Sequence, residues 1–403
     1  MSVAESASSW ISTAAACQKL GIRPQTLYAY VSRGLISPHR EGRRSYFSIA
    51  ELEQLETRAR RSLRRGRVEV SIDSLVTLLD PDGRLFYRGE DVTVLATTWS
   101  FERTAEWLWT GVSAEEPRQW PVANEIKVVG NSLTDRLRNT VAILGSTAPN
   151  VDTLPASALT IGRKLLPQLV ASLPAVGTVK SEARAPLAAQ LWPRLSSLPL
   201  TKARFAALNC ALIVFADHEL VPSTIGARLA ASTGAAPLDS VLVGLAMHAG
   251  VSRHGFRASI EEAIRSGSEP LGAYDHVAYR VRDPRADVLV PLIQAASSKR
   301  GWRLVDSALT DDRPPTADLA IAALSVAGDM VPTASEVIYT VARVAGLLAH
   351  IGEEYDHPSM FRPRVGYRGP APDGFEFEQE YPDFLEIDSG QTAEIRRRPR
   401  TAR

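Results

Sequence analysis

Residues 215–233 read FADHELVPSTIGARLAAST, and Asp217, His218 and Glu219 set an imidazole between two acids where packing favours apolar side chains. Pro222 breaks the helix after this run, and Ser223 and Thr224 are expected to cap the next one, so His218 is expected at a helix end, facing a cavity. His254 and Gly255 precede a helix expected to start near Ser259. His276 stands in GAYDHVAYRVRDPRADVL with Arg285 in the Asp-Pro-Arg turn that follows. Asp318 fronts the apolar stretch ADLAIAAL, Arg343 lies within VIYTVARVAGLLAH, and FRPRVGYRGP supplies Arg362 and Arg364. Imidazoles and carboxylates are the groups of general acid–base chemistry. The planar guanidinium fork binds carboxylates as no lysine does. Singly, most of these residues have a plainer reading. Asp318 could be a helix N-cap, His276 a surface-loop histidine, Arg285 a solvated turn residue and His248 structural; His350 and His357 fit either reading. Arg343 resists it, because a buried guanidinium needs an anionic partner.

The elements that must hold these residues read as helices almost throughout. DPDGRLFYRG signals a short hairpin, and Leu95, Phe101, Trp107 and Leu108 form one helical apolar face closed by Gly111. Residues 112–200 read as proline-broken helices, and no internal repeat is evident. No apolar run approaches the roughly 20 residues that span a bilayer, and MSVAESASSW lacks the basic-then-apolar order of a secretory signal. Cys17 and Cys210 offer neither a disulfide framework nor metal spacing, so a reducing cytoplasm is expected.

The net charge of +1 conceals two different parts. Through Val68 the chain carries 12 Lys and Arg against 5 Asp and Glu; the remainder carries 34 against 40. In the basic part, STAAACQKLGI reads as a helix capped by Ser12, and RPQTLYAYVSRGLI as a second helix closed by Gly34. PHREGRRSYFS reads as a hairpin turning at Glu41 and Gly42, and SIAELEQL as a helix with Ser48 and Glu51 as a capping box. This order resembles the winged helix-turn-helix of MerR-like and excisionase-like DNA-binding domains. The resemblance puts Gln25, Thr26, Tyr28 and Tyr30 near a DNA groove and Arg43, Arg44 and Tyr46 near phosphates. A small helical domain that only caps its neighbour fits the same residues. The resulting division is a winged helix-turn-helix at 1–57, a basic linker at 58–67, a helical body at 68–390 and a disordered basic tail at 391–403.

The body resembles the citrate synthase family from about Val68 to Pro370. LFYRGEDVTVLA is similar to the family's early Tyr-Arg-Gly element, and ADHELVPSTIGARLAAST to its Ala-Asp-His-Glu segment. HVAYRVRDPRA resembles the second-histidine loop and ADLAIAAL the catalytic-aspartate helix, while VARVAGLLAH and RPRVGYRGP resemble the last two arginine motifs. The resemblance implies a mainly α fold, with a smaller domain at about 255–345 hinged on a larger one, and a homodimer with shared sites. It implies that Asp318 removes a proton from the methyl of acetyl-coenzyme A, that His254 stabilises the enol and that His276 polarises the ketone of oxaloacetate. His218, Arg285 and Arg343 would bind oxaloacetate, with Arg362 reaching across from the partner. The reaction would be the citrate-forming step of the tricarboxylic acid cycle, with no metal or redox cofactor. The chemistry asks for such a set: a thioester α-proton leaves to a carboxylate only if a placed donor meets the developing oxyanion. Water must also be excluded by closure.

Two loops depart from the family pattern. Asp275 replaces a glycine before His276, and GVSRHGF replaces a Gly-Pro-x-His-Gly-Gly pattern, with Phe256 where the second glycine is expected. Both bear on the acyl donor. Three functions are therefore carried forward: citrate synthesis, 2-methylcitrate synthesis from propionyl-coenzyme A, and a ligand-sensing DNA-binding regulator.

Overall fold

The computed structural model describes residues 10–20, 38–41, 44–49 and 52, then 72–361 less 81, 114–119, 148–152, 179–183, 249–255, 271–272, 275, 277, 280–281, 310–312 and 360. Gln25, Thr26, Tyr28, Tyr30, Arg43, His254, Asp275 and Arg362 lie outside the described residues, as do the linker 58–67 and the tail 391–403. The larger of two units in the chain is Ile72–Pro363.

Within the N-terminal unit, β1 (Trp10–Ser12) leads into α1 (Thr13–Leu20), followed by β2 (Pro38–Glu41) and β3 (Arg44–Ser48). The Ser12 hydroxyl accepts from the Ala15 amide at 3.3 Å, the cap expected for the first helix. β2 and β3 pair antiparallel with Glu41 opposite Arg44, which is the expected wing. Its third strand was not read from the sequence: β1 pairs with β3, Trp10 opposite Ser48. Ala16, Phe47 and Leu52 are buried beside it.

The larger unit opens with a small antiparallel sheet, β4 (Thr77–Leu79), β5 (Leu85–Tyr87) and β6 (Glu90–Asp91). The single helix expected over Leu95 to Leu108 is two, α2 (Val92–Thr98) and α3 (Phe101–Thr110). A distant side chain makes the break: Asn209 accepts from the Phe101 amide and donates to the Trp99 carbonyl, both at 2.9 Å. Ser100 then caps α3, and Gly111 closes it with a φ of 66° that glycine adopts without strain.

Helices make up the rest: α4 (Leu133–Thr147), α5 (Pro155–Ala171), α6 (Leu187–Leu195), α7 (Lys202–Val214), α8 (Pro222–Ser232) and α9 (Pro237–His248). After them come α10 (Phe256–Ser266), α11 (Pro284–Ala296), α12 (Lys299–Val305), α13 (Ala317–Ala327) and α14 (Ala334–Asp356). By length and composition α14 could cross a membrane, contrary to the reading that no run approaches that length, but its apolar window is wholly buried in the protein. It packs against α3, α5, α7, α8 and α9, and α13 packs against α10, α11 and α12. Leu319, Ile321 and Leu324 of α13 are fully buried, each worth roughly 1.5–3 kcal/mol. Small residues bring α12 close: a Cβ on Gly301 would overlap the Ala327 backbone.

Candidate active site

The run Asp217 to Glu219 lies in the connection between α7 and α8. Ser223 and Thr224 do not cap α8; Val221 is its N-cap, Pro222 fills the first turn, and both side chains sit buried inside the helix. Asp217 is wholly buried and holds three partners: it accepts from Thr77 Oγ1 at 2.6 Å and Arg343 Nη1 at 3.3 Å, and lies 3.1 Å from His350 Nε2. Burial alone would raise its pKa, but His350, Arg343 and Thr77 outweigh burial and hold the carboxyl at about 2. Asp217 is the anion that a buried Arg343, 2% exposed, requires. Glu219, in the left-handed region at φ 52°, accepts from the Leu79 amide at 2.8 Å and ties the connection to β4. Tyr87 secures its other side, its hydroxyl accepting from the Asp217 amide at 3.0 Å.

Between these two acids His218 turns the other way. Its Nε2 lies 2.9 Å from Tyr279 Oη, and its ring stands 5.6 Å from that of His276. Burial, then Arg285, Arg343 and His276, push its pKa well below the ordinary value, so the imidazole is neutral.

His276 has a readable tautomer. Its Nδ1 accepts from the Ala278 amide at 3.1 Å, and a backbone N–H can only donate. Arg285 Nη2, which also can only donate, stands 3.4 Å from Nε2, so a neutral His276 can accept from only one of the two. The shorter bond, at Nδ1, puts the proton on Nε2 and sets two donors side by side. Both could serve one acceptor. Arg285 is anchored from behind by Asp283, through Nε at 3.0 Å and Nη2 at 2.8 Å. Asp283 also caps α11, and it accepts from the Ala317 amide at 2.9 Å. One carboxylate thereby joins the first turns of α11 and α13, and with them Arg285 and Asp318.

Asp318 does not cap α13; Thr316 does, accepting from the Leu319 amide. It sits one residue into the helix with its side chain 16% exposed, and Arg257 Nε stands 2.7 Å from Oδ1, close enough to pair but out of line for a hydrogen bond. Burial raises its pKa, and Arg257, Arg285 and His276 together bring it below the usual aspartate value. Two rings, Phe215 and Tyr339, 5.6 Å apart, floor the region: Arg257 and Arg285 lie over Phe215, and Arg257 and Arg343 over Tyr339.

Of the expected residues, the structure gathers His218, His276, Arg285, Arg343 and Asp318. Phe256 opens α10, three residues before the helix start expected at Ser259. For Arg44 only the backbone is described. His248 stacks on Tyr339 at 4.5 Å, and His350 belongs to the Asp217 network. Tyr279, Asp283 and Arg257 were not singled out in the sequence. The first two lie within a few residues of His276 and Arg285, whereas nothing in the sequence around Arg257 announces its partners.

A helical body of this organisation is that of citrate synthases. The ternary complex of carboxymethyl coenzyme A and oxaloacetate with citrate synthase from Thermoplasma acidophilum superposes with a TM-score of 0.58 at 19% identity, covering 79% of this chain and 98% of that one. Citrate synthase 2 of Bacillus subtilis is 28% identical over 189 residues, 41% of this chain and 51% of that protein. Citrate synthase of Haloferax volcanii is 22% identical over 364 residues, 76% of this chain and 96% of that protein. The chain spans about half the length of the first of these curated relatives. The sequence pattern of the citrate synthase C-terminal domain matches residues 67–364, and that of a helix-turn-helix domain matches 10–60. The chain belongs to the citrate synthase family, with a helix-turn-helix domain at its N-terminus.

Proposed function

We propose that the body condenses an acyl-coenzyme A with oxaloacetate, giving citrate from the acetyl donor. The observation that carries this is the convergence of His218, His276, Arg285 and Arg343, with Asp318 on the neighbouring helix start. Arg285 and Arg343 receive the two carboxylates, and the Nε2 proton of His276 meets the ketone oxygen. Asp318 takes the α-proton of the thioester, and the family resemblance gives His254 the role of donor to the thioester oxygen. Hydrolysis of the citryl thioester then releases coenzyme A and citrate. The organisation we infer is two-lobed, with α10 to α13 as the smaller lobe. We draw its C-terminal edge at the start of α14 in place of residue 345, a choice supported by the unbroken run of that helix.

A homodimer is part of this reading, with Arg362 of each subunit serving the other's site. Support comes from an exposed apolar face on neighbouring helices: Ile143 on α4, Ile225 and Leu229 on α8, Val243 and Met247 on α9. A second copy of the chain is its occupant, and sedimentation at a monomer mass would contradict it. We place the protein in the cytoplasm, where its two unbridged cysteines are at home.

The test is release of free thiol from acetyl- or propionyl-coenzyme A mixed with oxaloacetate. Release with propionyl-coenzyme A as the better donor would make the product 2-methylcitrate. Asp318→Ala should abolish release while oxaloacetate still binds. No release with either donor overturns the condensation.

A regulator is the second reading, favoured by the helix-turn-helix match and the basic front. In it the body senses oxaloacetate or an acyl-coenzyme A, and Gln25, Thr26, Tyr28, Arg43 and Arg44 meet DNA. A gel-shift titration should then weaken steeply with salt; absent or salt-insensitive binding removes it.

A further inference from the structure

Arg257, in the first turn of α10, is buried yet faces two acids from two other helices. Its Nε is 2.7 Å from Asp318 Oδ1 on α13, and its Nη1 is 3.3 Å from Glu336 Oε2 on α14. The Arg257 amide donates to Glu336 Oε1 at 3.1 Å, and the guanidinium lies 3.5 Å from the centre of the Tyr339 ring. Glu336, the aromatic ring and the backbone therefore fix this side chain from three directions. It cannot turn away from Asp318 without breaking a buried pair.

The consequence for Asp318 is geometric. Oδ1 is fully buried against Arg257, so the 16% exposure of the side chain lies on its other atoms. A carboxylate held by one oxygen has only the other to offer a substrate. Resting on the reading of Asp318 as the base, we propose that Arg257 is its positioning residue, pinning Oδ1 and presenting Oδ2 as an ionised oxygen to the acyl α-carbon. Oδ2 takes the proton, and the electron pair of the broken C–H bond moves into the enolate.

The charged groups around Asp318 divide by element. Arg257 comes from α10, and Arg285 with its Asp283 partner from the start of α11. His276 comes from the preceding loop, and Glu336 and Tyr339 of α14 act through Arg257. α12 meets α13 at the far end, where Gly301 abuts Ala327. Among the described residues Arg257 is the nearest cation, and an opposite charge at this range lowers an aspartate by about 1–3 pH units.

The test is a titration of the full-length protein by carbon NMR with labelled aspartate carboxyls, the Asp318 signal being assigned from Asp318→Asn. In the wild type its midpoint should fall below the ordinary value of about 3.9. Arg257→Gln should raise it by about 1–3 units, and Arg257→Lys should restore most of the drop. The acid limb of kcat should move with it. A merely structural Arg257 would lower the melting temperature without moving either. If Arg257→Gln does not fold, the wild-type midpoint decides: a value above the ordinary one, as burial alone would give, overturns the pin. An unmoved midpoint in folded Arg257→Gln overturns it as well. Should the midpoint shift while no variant and no wild type releases thiol, the pin stands and the assignment of Asp318 as base falls.

Discussion

Asp217→Asn removes one charge and leaves the shape, so it isolates what the carboxylate does for Arg343 and His350. The folded carboxyl sits at about 2, against about 3.9 for an unstructured aspartate. Two pH units at 1.36 kcal/mol each give about 3 kcal/mol. Stripping one partner from a buried pair costs about 3–5 kcal/mol, and the asparagine oxygen still accepts from Thr77, so a loss of about 3 kcal/mol is expected. The sign of the pH dependence follows from both partners. Asp217 is depressed, so its contribution is complete above about pH 5 and fades as pH falls toward 2. His350 is raised, burial being outweighed by Asp217 and Glu353. Its contribution is complete below about pH 6 and fades as pH rises through the folded value. Both are present at pH 5.5. Urea unfolding followed by tryptophan fluorescence should therefore show the full gap between wild type and variant there, shrinking by about 1 kcal/mol at pH 3. A gap under about 1 kcal/mol at pH 5.5, or one that stays the same down to pH 3, would refute the account of Asp217 as the anion of a buried ion pair.

Other outcomes are expected from single contacts. Tyr279→Phe deletes the 2.9 Å contact to His218 and should weaken oxaloacetate about 3- to 10-fold by calorimetry; unchanged affinity would remove Tyr279 from the site. Arg285→Lys cannot keep both bonds to Asp283 and should raise KM for the keto acid by about tenfold or more, while an unaltered KM would contradict the carboxylate role. Gly346→Ala should gain about 1 kcal/mol in helix propensity. Its Cβ would overlap the Ala216 carbonyl and the Asp217 carboxylate, so a net loss of about 1–2 kcal/mol is expected, and a raised melting temperature would show that the contact is slack.

What the sequence disclosed and what it withheld divide along the range of the interaction. His276 and Arg285 were legible together because they are nine residues apart in sequence and 3.4 Å apart in space. The wing between Pro38 and Ser48 was legible for the same reason. Asp318 was legible only through the resemblance of ADLAIAAL, since the groups around it come from other segments. The break between α2 and α3 was not, because its cause is Asn209, about a hundred residues away. Arg343 was half legible: its apolar surroundings demanded an anion, but only the packing of α14 on the α7–α8 connection says that Asp217 supplies it. Arg257 was illegible, since its meaning depends on two helices that come later in the chain.

Gly346 presses α14 onto residues 216 and 217 so closely that its amide reaches the Ala216 carbonyl at 3.1 Å. Sliding or rolling the helix there would break that bond and drive the neighbouring side chains of α14 into the same backbone. The connection that bears His218 and the helix that bears Arg343 therefore form one block, and in the two-lobed organisation we propose it is the segments carrying Asp318 and His276 that would move.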